Sequence, residues 1–549
     1  MSGIVLIFAA IAIFVIAYLT YGRWLAKQWG IDPTRKTPAY ELEDGVDYVP
    51  SKAPVLLGHH FASIAGAGPI NGPIQAAFFG WVPAFLWIVI GGIFFGAVHD
   101  FGALFASVRH KGLSIGAVIE ENISKRCKTL FTIFAWLVLL LVVAAFGDIV
   151  ASSFTCTTDA NGVINTANGS VATASLLFIP LAVVFGFMVY RKNAPLLVST
   201  IAGCVCLAIA IAVGILFPIN LPKTFWLVFV IVYICIASIA PVWILLQPRD
   251  YLNSFLLYFM IGAAVIGIFV ANPTIQTPAF IGFNVNGQSL FPVLFITVAC
   301  GAISGFHSLV GSGTTSKQLD NEKDALMIGY GGMLIECVLA VISLIAIGTL
   351  SADGSIAATG ATAPAVVFAT AISGFLANIG LPTNITFTII SLAVSAFALT
   401  SLDTATRLGR FLFQELFPNN KVLSNMYVST FITAGVGFIF CLAGYQNVWP
   451  LFGACNQLVA VPAFLCLATY LKRKGKNEKM LYIPMVFMLC ATLTSLASSF
   501  VTNVTKLMAG TGAMMKEGLQ TVIIVPIFVL AVILVVEGAK TLMSLYKKN

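Results

Sequence analysis

The 549-residue chain predicts an all-α polytopic membrane protein of about fifteen transmembrane helices, two of them broken and related as an inverted repeat, with further helices at the periphery. Three observations predict it. Hydrophobic residues make up 59% of the sequence and charged residues only 9%, against about 25% charged in an ordinary soluble domain. That leaves too little polar surface to cover a water-facing globule, which excludes a soluble enzyme. The apolar residues fall into runs of about 17 to 25, the length that crosses a bilayer as a helix. Two of these runs are interrupted at mid-length by glycine, histidine and other polar residues, one of them by proline as well. The formal charge of +8 lies in short clusters between the runs and forms no basic face, so it points to membrane topology and away from nucleic acid.

The first run, 4–24, lacks a basic stretch before it and a small-residue cleavage pattern after it, so it reads as a retained span. With the polar loop behind it, it forms a peripheral unit, 1–54. Runs at 55–80, 84–108, 129–152, 174–190, 194–215, 224–246, 254–271, 291–312, 325–350, 384–405, 427–444 and 450–471 make a central unit, 55–471, that includes inserted helices. Two more, 480–501 and 520–542, follow a basic linker and pack outside the centre as a third unit, 472–549. The polar stretches 153–173 and 272–290 read as outer loops, and a half-length apolar run at 365–376, ahead of Pro382, as a re-entrant or surface helix. If the spans alternate, 26 of the 29 Lys and Arg fall on one side, leaving Lys223, Lys506 and Lys516 on the other. Cytoplasmic loops carry the positive excess, so the N-terminus is expected outside and the C-terminus inside. Nine of the eleven cysteines sit among apolar neighbours as small hydrophobes, Cys127 and Cys156 read as loop residues, and no disulfide framework or CxxC pair is present.

In hydrocarbon every backbone N–H and C=O has to be paired, so glycine, proline and polar residues concentrated in mid-span mark a broken helix beside protein or a wet cavity. GHHFASIAGAGPINGP (58–73) and GAISGFHSLVGSG (301–313) are two such stretches. By the alternation above they run in opposite directions, the pattern of an inverted repeat with a ligand site near the midplane. Half-helix N-termini there would offer N–H donors to a carboxylate. Close packing of small residues is the simpler alternative, but two imidazoles, an Asn and two prolines exceed what packing requires.

Those two stretches, extended to FITVACGAISGFHSLVGSGTTSKQL (295–319), together with FALTSLDTATRLGRF (397–411), QEL (414–416) and WPLFGACNQLVA (449–460), closely resemble the carbon starvation (CstA) family of bacterial inner-membrane transporters. The resemblance runs from about residue 1 to 470. It implies secondary active uptake of peptides, or in some members of pyruvate with protons, through a LeuT-like five-plus-five inverted repeat of the amino acid–polyamine–organocation superfamily. Counting from the first broken helix, seven spans start here before the second is reached where five are expected, so two are insertions. In that reading 55–471 is the transport core.

Ionisable residues inside spans are costly and therefore functional candidates; here they are His59, His60, His99, Asp100, Asp148, His307, Glu336, Asp403 and Arg407. The histidines on the broken helices either bind substrate and carry protons or tie off freed carbonyls. Substrate is expected at His59, His60, Ser63, Gly66, Gly68, Asn71, Ser304, Gly305, His307 and Ser308. The coupling ion, proton or sodium, is expected at Ala65, Thr400, Ser401, Asp403, Thr404 and Glu336, because the resemblance implies a cation between the first break and hydroxyls of a later helix. Asp403 and Arg407, four residues apart, share a helix face and read alternatively as an ion pair at its cytoplasmic end. Asp100 reads as interfacial, Asp148 as near an outer end, and Asn456 and Gln457 as amides facing substrate or a partner helix. No cofactor or metal is expected: His59 and His60 point about 100° apart on a helix, with no HExxH motif. The run 311–317 lacks the spacing of a phosphate loop. A passive channel and a sodium-coupled amino-acid symporter are the competing functions.

Overall fold

A computed structural model describes residues 1–45, 47–158, 164–192, 194–354, 363–442 and 444–547. Parts of the predicted outer loop 153–173 and of the stretch 351–383, and Lys548 of the charge count, lie outside the described residues. In chain order, leaving aside the short helices Pro38–Glu41 and Ile115–Asn122, the helices are α1 (Gly3–Trp29), α2 (Ala53–Ile64), α3 (Gly68–Ala76), α4 (Trp81–Arg109), α5 (Lys125–Phe154), α6 (Ala167–Val189) and α7 (Leu196–Leu216). They continue with α8 (Lys223–Ile239), α9 (Leu246–Ala271), α10 (Leu290–Val298), α11 (Gly305–Gly313), α12 (Glu322–Leu350), α13 (Pro364–Ala377) and α14 (Thr383–Leu416). The last four are α15 (Met426–Cys441), α16 (Val448–Arg473), α17 (Lys479–Met508) and α18 (Lys516–Lys547). Strand is confined, among the described residues, to two hairpins of two-residue strands.

Twelve helices, counting α10 and α11 as one, are long and apolar enough to cross a membrane. Three more predicted crossings correspond to the pair α2 and α3 and to the shorter apolar helices α8 and α15. Burial separates the centre from the rim. Every residue in the apolar window of α16 is buried, whereas 17% of that of α7 and 28% of that of α18 are. A helix that is apolar all round and covered on all sides is packed by other helices, and one left bare presents its side chains to lipid.

Three boundaries depart from the sequence reading, each because a polar residue finds its partner inside a helix. The outer loop ends sooner than expected: α6 begins at Ala167, with Thr173 Oγ1 donating to the Gly169 carbonyl at 3.1 Å. The polar run 247–253, read as an inner loop, is the buried first two turns of α9. Helix α14 does not stop at 405 but continues to Leu416, so Asp403 and Arg407 lie inside it, both buried, and not at its end. Cys127 is likewise a buried residue of α5 and not of a loop.

Candidate functional site

The first break follows from the local sequence. Pro69 has no N–H to give to the preceding turn and stands in the first turn of α3, where proline is favoured, whereas Pro73 lies inside α3. Helix α2 accordingly ends at Ile64, Ala65 turns out of the helix at ψ 49°, and Gly66 N–H closes a tight turn on the Ile64 carbonyl at 2.8 Å. Helix α3 restarts at Gly68 with no side-chain cap. The second break runs from Ala299, held at φ 44°, through Cys300 and Gly301 to Ser304. A non-glycine residue at positive φ costs about 1–3 kcal/mol and persists only where its surroundings enforce it.

The two breaks press directly on each other. A Cβ placed on Gly68 would lie 2.6 Å from Cys300 Cβ and 2.7 Å from its sulfur, and one on Gly72 would lie 2.3 Å from the Val298 carbonyl. Only glycine permits this approach. Gly66 and Gly305 are packed as closely: a Cβ on Gly66 would lie 2.6 Å from the Ser401 hydroxyl, and one on Gly305 2.1 Å from the Asn456 carbonyl. Gly72 and Gly305 meet backbone carbonyls, whereas Gly66 and Gly68 meet the side chains of Ser401 and Cys300.

Around the first break lies a polar cluster on α2, α8, α9 and α14. His59 Nδ1 is 2.9 Å from Asp250 Oδ2. Arg249 donates to Asp403, to the Tyr233 hydroxyl and, at 2.8 Å, to Thr400 Oγ1. Tyr233 in turn donates to Asp403 at 2.9 Å. Ser401 Oγ donates to the Ser63 carbonyl at 3.0 Å, and Ser63 Oγ meets Thr404 Oγ1 at 3.3 Å. The hydroxyls expected to hold a coupling cation are therefore engaged: Thr400 by a guanidinium, Ser401 and Thr404 by Ser63. All of these side chains are at most 6% exposed, and His59 Nε2 has no hydrogen-bond partner.

Around the second break lies another cluster, on α4, α11 and α12. His307 Nδ1 is 2.7 Å from Asp100 Oδ2, and His99 Nδ1 is 2.9 Å from Asp100 Oδ1. His307 Nε2 approaches Glu336 Oε2 to 3.5 Å without a hydrogen bond. Cys300 completes a group in which the donor atoms of Cys300, His307 and Glu336 all lie within 4.8 Å of one another. His60, though a neighbour of His59 in sequence, turns to Thr315 Oγ1 at 2.8 Å, as the 100° step of a helix requires.

Several expectations are corrected. Asp100 is 1% exposed and sits at the centre of the second cluster. Asp403 does not pair with Arg407: its partner is Arg249, while Arg407 donates to the Ala240 carbonyl and pairs with Asp47 at 3.3 Å. Asp148 makes an ion pair of 2.7 Å with the half-exposed Lys223. The N-terminus of α11 is not open to a ligand, because Asn456 Oδ1 accepts from Phe306 N–H at 2.8 Å and its amide donates to Ser304 at 3.0 Å. Gln457 donates to the Phe295 carbonyl at 3.0 Å. Ser308 bonds back to Gly305 within α11, at 2.6 Å. Sequence reasoning missed Arg249, Asp250, Tyr233 and Cys300. The pairing of two acids and one arginine at membrane depth was visible only once 247–253 was recognised as helix.

A cavity of about 360 Å³ opens beyond the second break, at the far end of α11. Its lining includes Tyr48, Ser114, Leu309, Ser312, Lys317 and Glu415. Ser114 donates to Glu415 at 2.9 Å, and Lys317 lies over the Phe411 and Tyr48 rings at 4.8 and 5.3 Å. Burial, and then Asp44 and Asp47, raise the Tyr48 phenol above the usual tyrosine range, so it stays protonated.

The family model described as carbon starvation protein CstA matches residues 2–359 and 353–495. The peptide transporter CstA of Campylobacter jejuni is 34% identical, over 90% of this chain and 79% of its own length. The pyruvate/proton symporter BtsT of Escherichia coli is 31% identical, over 91% of this chain and 82% of its own. Among solved structures, a manganese transporter of Eremococcus coleocola aligns with 92% of this chain and 99% of its own at a TM-score of 0.53 and 12% identity, a likeness of LeuT-like fold alone.

Proposed function

Because the chain belongs to the carbon starvation protein CstA family, we propose that it is a proton-coupled importer of short peptides in the inner membrane of a bacterium, with its N-terminus outside and C-terminus in the cytoplasm. The observation that carries the reading is the meeting of two broken helices at Gly68 and Cys300, with buried imidazoles on both. In this reading 55–471 moves substrate, and 1–54 and 472–549 support it from the rim.

Arg249 favours the proton over sodium. Its guanidinium donates to Thr400 and Asp403, the ligands a sodium ion would need, and a fixed positive charge there repels a second. The cluster holds two carboxylates, Asp250 and Asp403, against one guanidinium, so one more positive charge balances it. His59 supplies the place: its Nδ1 faces Asp250 and its Nε2 is unpartnered. Protonation there joins the charge state of the first broken helix to its contact with α9.

The cavity favours a peptide. Its volume fits a small-molecule site, and it presents a cation, Lys317, and an anion, Glu415, the two charges a zwitterionic peptide complements. A small carboxylate such as pyruvate is the second reading, supported by the symporter relative and by Lys317, which has no carboxylate in ion-pairing distance among the described residues. Uptake into proteoliposomes tests both. A labelled dipeptide is expected to accumulate above equilibrium under an inward proton gradient, not under a sodium gradient, and His59→Ala is expected to abolish accumulation while leaving the protein folded. Equal accumulation under sodium alone refutes the proton reading, and accumulation of pyruvate but not dipeptide selects the second substrate.

A further inference from the structure

The geometry points to a buried divalent-metal site of the zinc class at the second break, with Cys300 Sγ, His307 Nε2 and a Glu336 carboxylate oxygen as its protein ligands. The three donor atoms lie within 4.8 Å of one another, so a point no more than about 2.8 Å from all of them exists; bonds from zinc to sulfur, nitrogen and oxygen are about 2.0–2.3 Å. A closure of roughly half an ångström per side chain, within rotamer freedom, forms the site. Four features single it out from a chance cluster.

The first is unsatisfied bonding. His307 Nε2 and both Glu336 oxygens are fully buried with no hydrogen-bond partner, and they face each other. Buried polar atoms left without partners are costly, and a shared ligand satisfies all three at once. The second is the orienting acid. Asp100 takes His307 Nδ1 at 2.7 Å, which fixes the ring and turns Nε2 toward Glu336, the carboxylate–histidine arrangement found behind metal-bound imidazoles. Asp100 is itself held by His99 on its other oxygen.

The third is charge: no Arg or Lys stands in ion-pairing distance of Glu336 among the described residues, so the group holds no resident cation of its own and a divalent ion would be its countercharge. The fourth is the field: Gly68, the first residue of the nine-residue helix α3, packs against Cys300, so the positive end of that helix lies beside the thiol. Thiolate, imidazole and carboxylate together suit zinc, cobalt or ferrous iron rather than sodium, magnesium or calcium, which take oxygen ligands. Three protein ligands leave a fourth position for water. The ion would bridge the break itself, the half-helix α11 and the neighbouring α12.

The test uses the full-length protein purified in detergent on a tag without histidine, so that neither transport nor its coupling enters the readout. Elemental analysis after dialysis is expected to find about one equivalent of zinc or another first-row metal per chain. Replacement by cobalt is expected to give tetrahedral ligand-field bands with a thiolate-to-cobalt charge-transfer band. That band is lost in Cys300→Ala and kept in Cys337→Ala, a neighbouring buried thiol outside the group. Asp100→Asn is expected to weaken zinc binding about 10–100-fold. Far less than one equivalent of every first-row metal together with no cobalt band overturns the site and leaves a His307–Glu336 proton pair in its place. A cobalt band that survives Cys300→Ala also overturns it. The cobalt spectrum of the unmodified protein decides the matter even if a variant fails to fold.

Discussion

The cluster at the first break carries its own cation, and the cluster at the second does not. Asp250 and Asp403 lie around Arg249, whereas Asp100 and Glu336 have only imidazoles for company. The difference teaches how the same problem, carboxylates at membrane depth, is met in two ways. A guanidinium makes a permanent arrangement that a small ion cannot enter without displacing it. Imidazoles leave the balance to be completed by something mobile, a proton or a metal.

Removing the resident cation breaks this contrast most severely. Arg249→Ala strands two buried carboxylates and is expected to destabilise the protein by about 3–5 kcal/mol, read as a large drop in thermal midpoint in detergent and loss of uptake. If midpoint and uptake are unchanged, the first cluster does not depend on its cation. Next in size is the contact that couples the two regions. Gly68→Ala puts a methyl group 2.6 Å from Cys300 Cβ, and overpacking of this kind costs about 1–3 kcal/mol; the same measurement checks it, and a neutral result denies that the breaks press together. Asn456→Ala removes the cap on α11 and is expected to cost about 0.5–2 kcal/mol, with the loss absent in Gln457→Ala at that helix end. Ser401→Ala severs the hydroxyl from the Ser63 carbonyl for about 0.5–1.5 kcal/mol without making uptake sodium-dependent. Smallest of all, Lys223→Ala opens the half-exposed pair with Asp148 and is expected to shift stability by roughly 0–1 kcal/mol. A larger effect there would mean that the rim, and not the two breaks, carries the polar energetics.

Both breaks were legible in the sequence because backbone chemistry is local. Proline lacks an N–H wherever it stands, and a run such as Gly66 to Pro69 cannot continue a helix whatever packs around it. Partners were not legible, since they depend on which helices lie side by side. Arg249 and Asp250 read as loop residues because charge in an apolar chain ordinarily means water, and only the acid on α14 and the imidazole on α2 make their burial tolerable. Cys300 read as one more small hydrophobe, which is what most buried thiols are; nothing along the chain announces that His307 and Glu336 turn toward it. The partners of Asp100 were hidden for the same reason, since His307 reaches it from another helix.

The glycine-on-cysteine contact makes the two interrupted segments one mechanical joint. Bulk added on either side collides with the other, so damage on one side should be repaired by compensating changes on the other. Suppressors of a bulky residue at 68 or 72 are to be sought first along 297–301, among residues far away in the chain but adjoining in space.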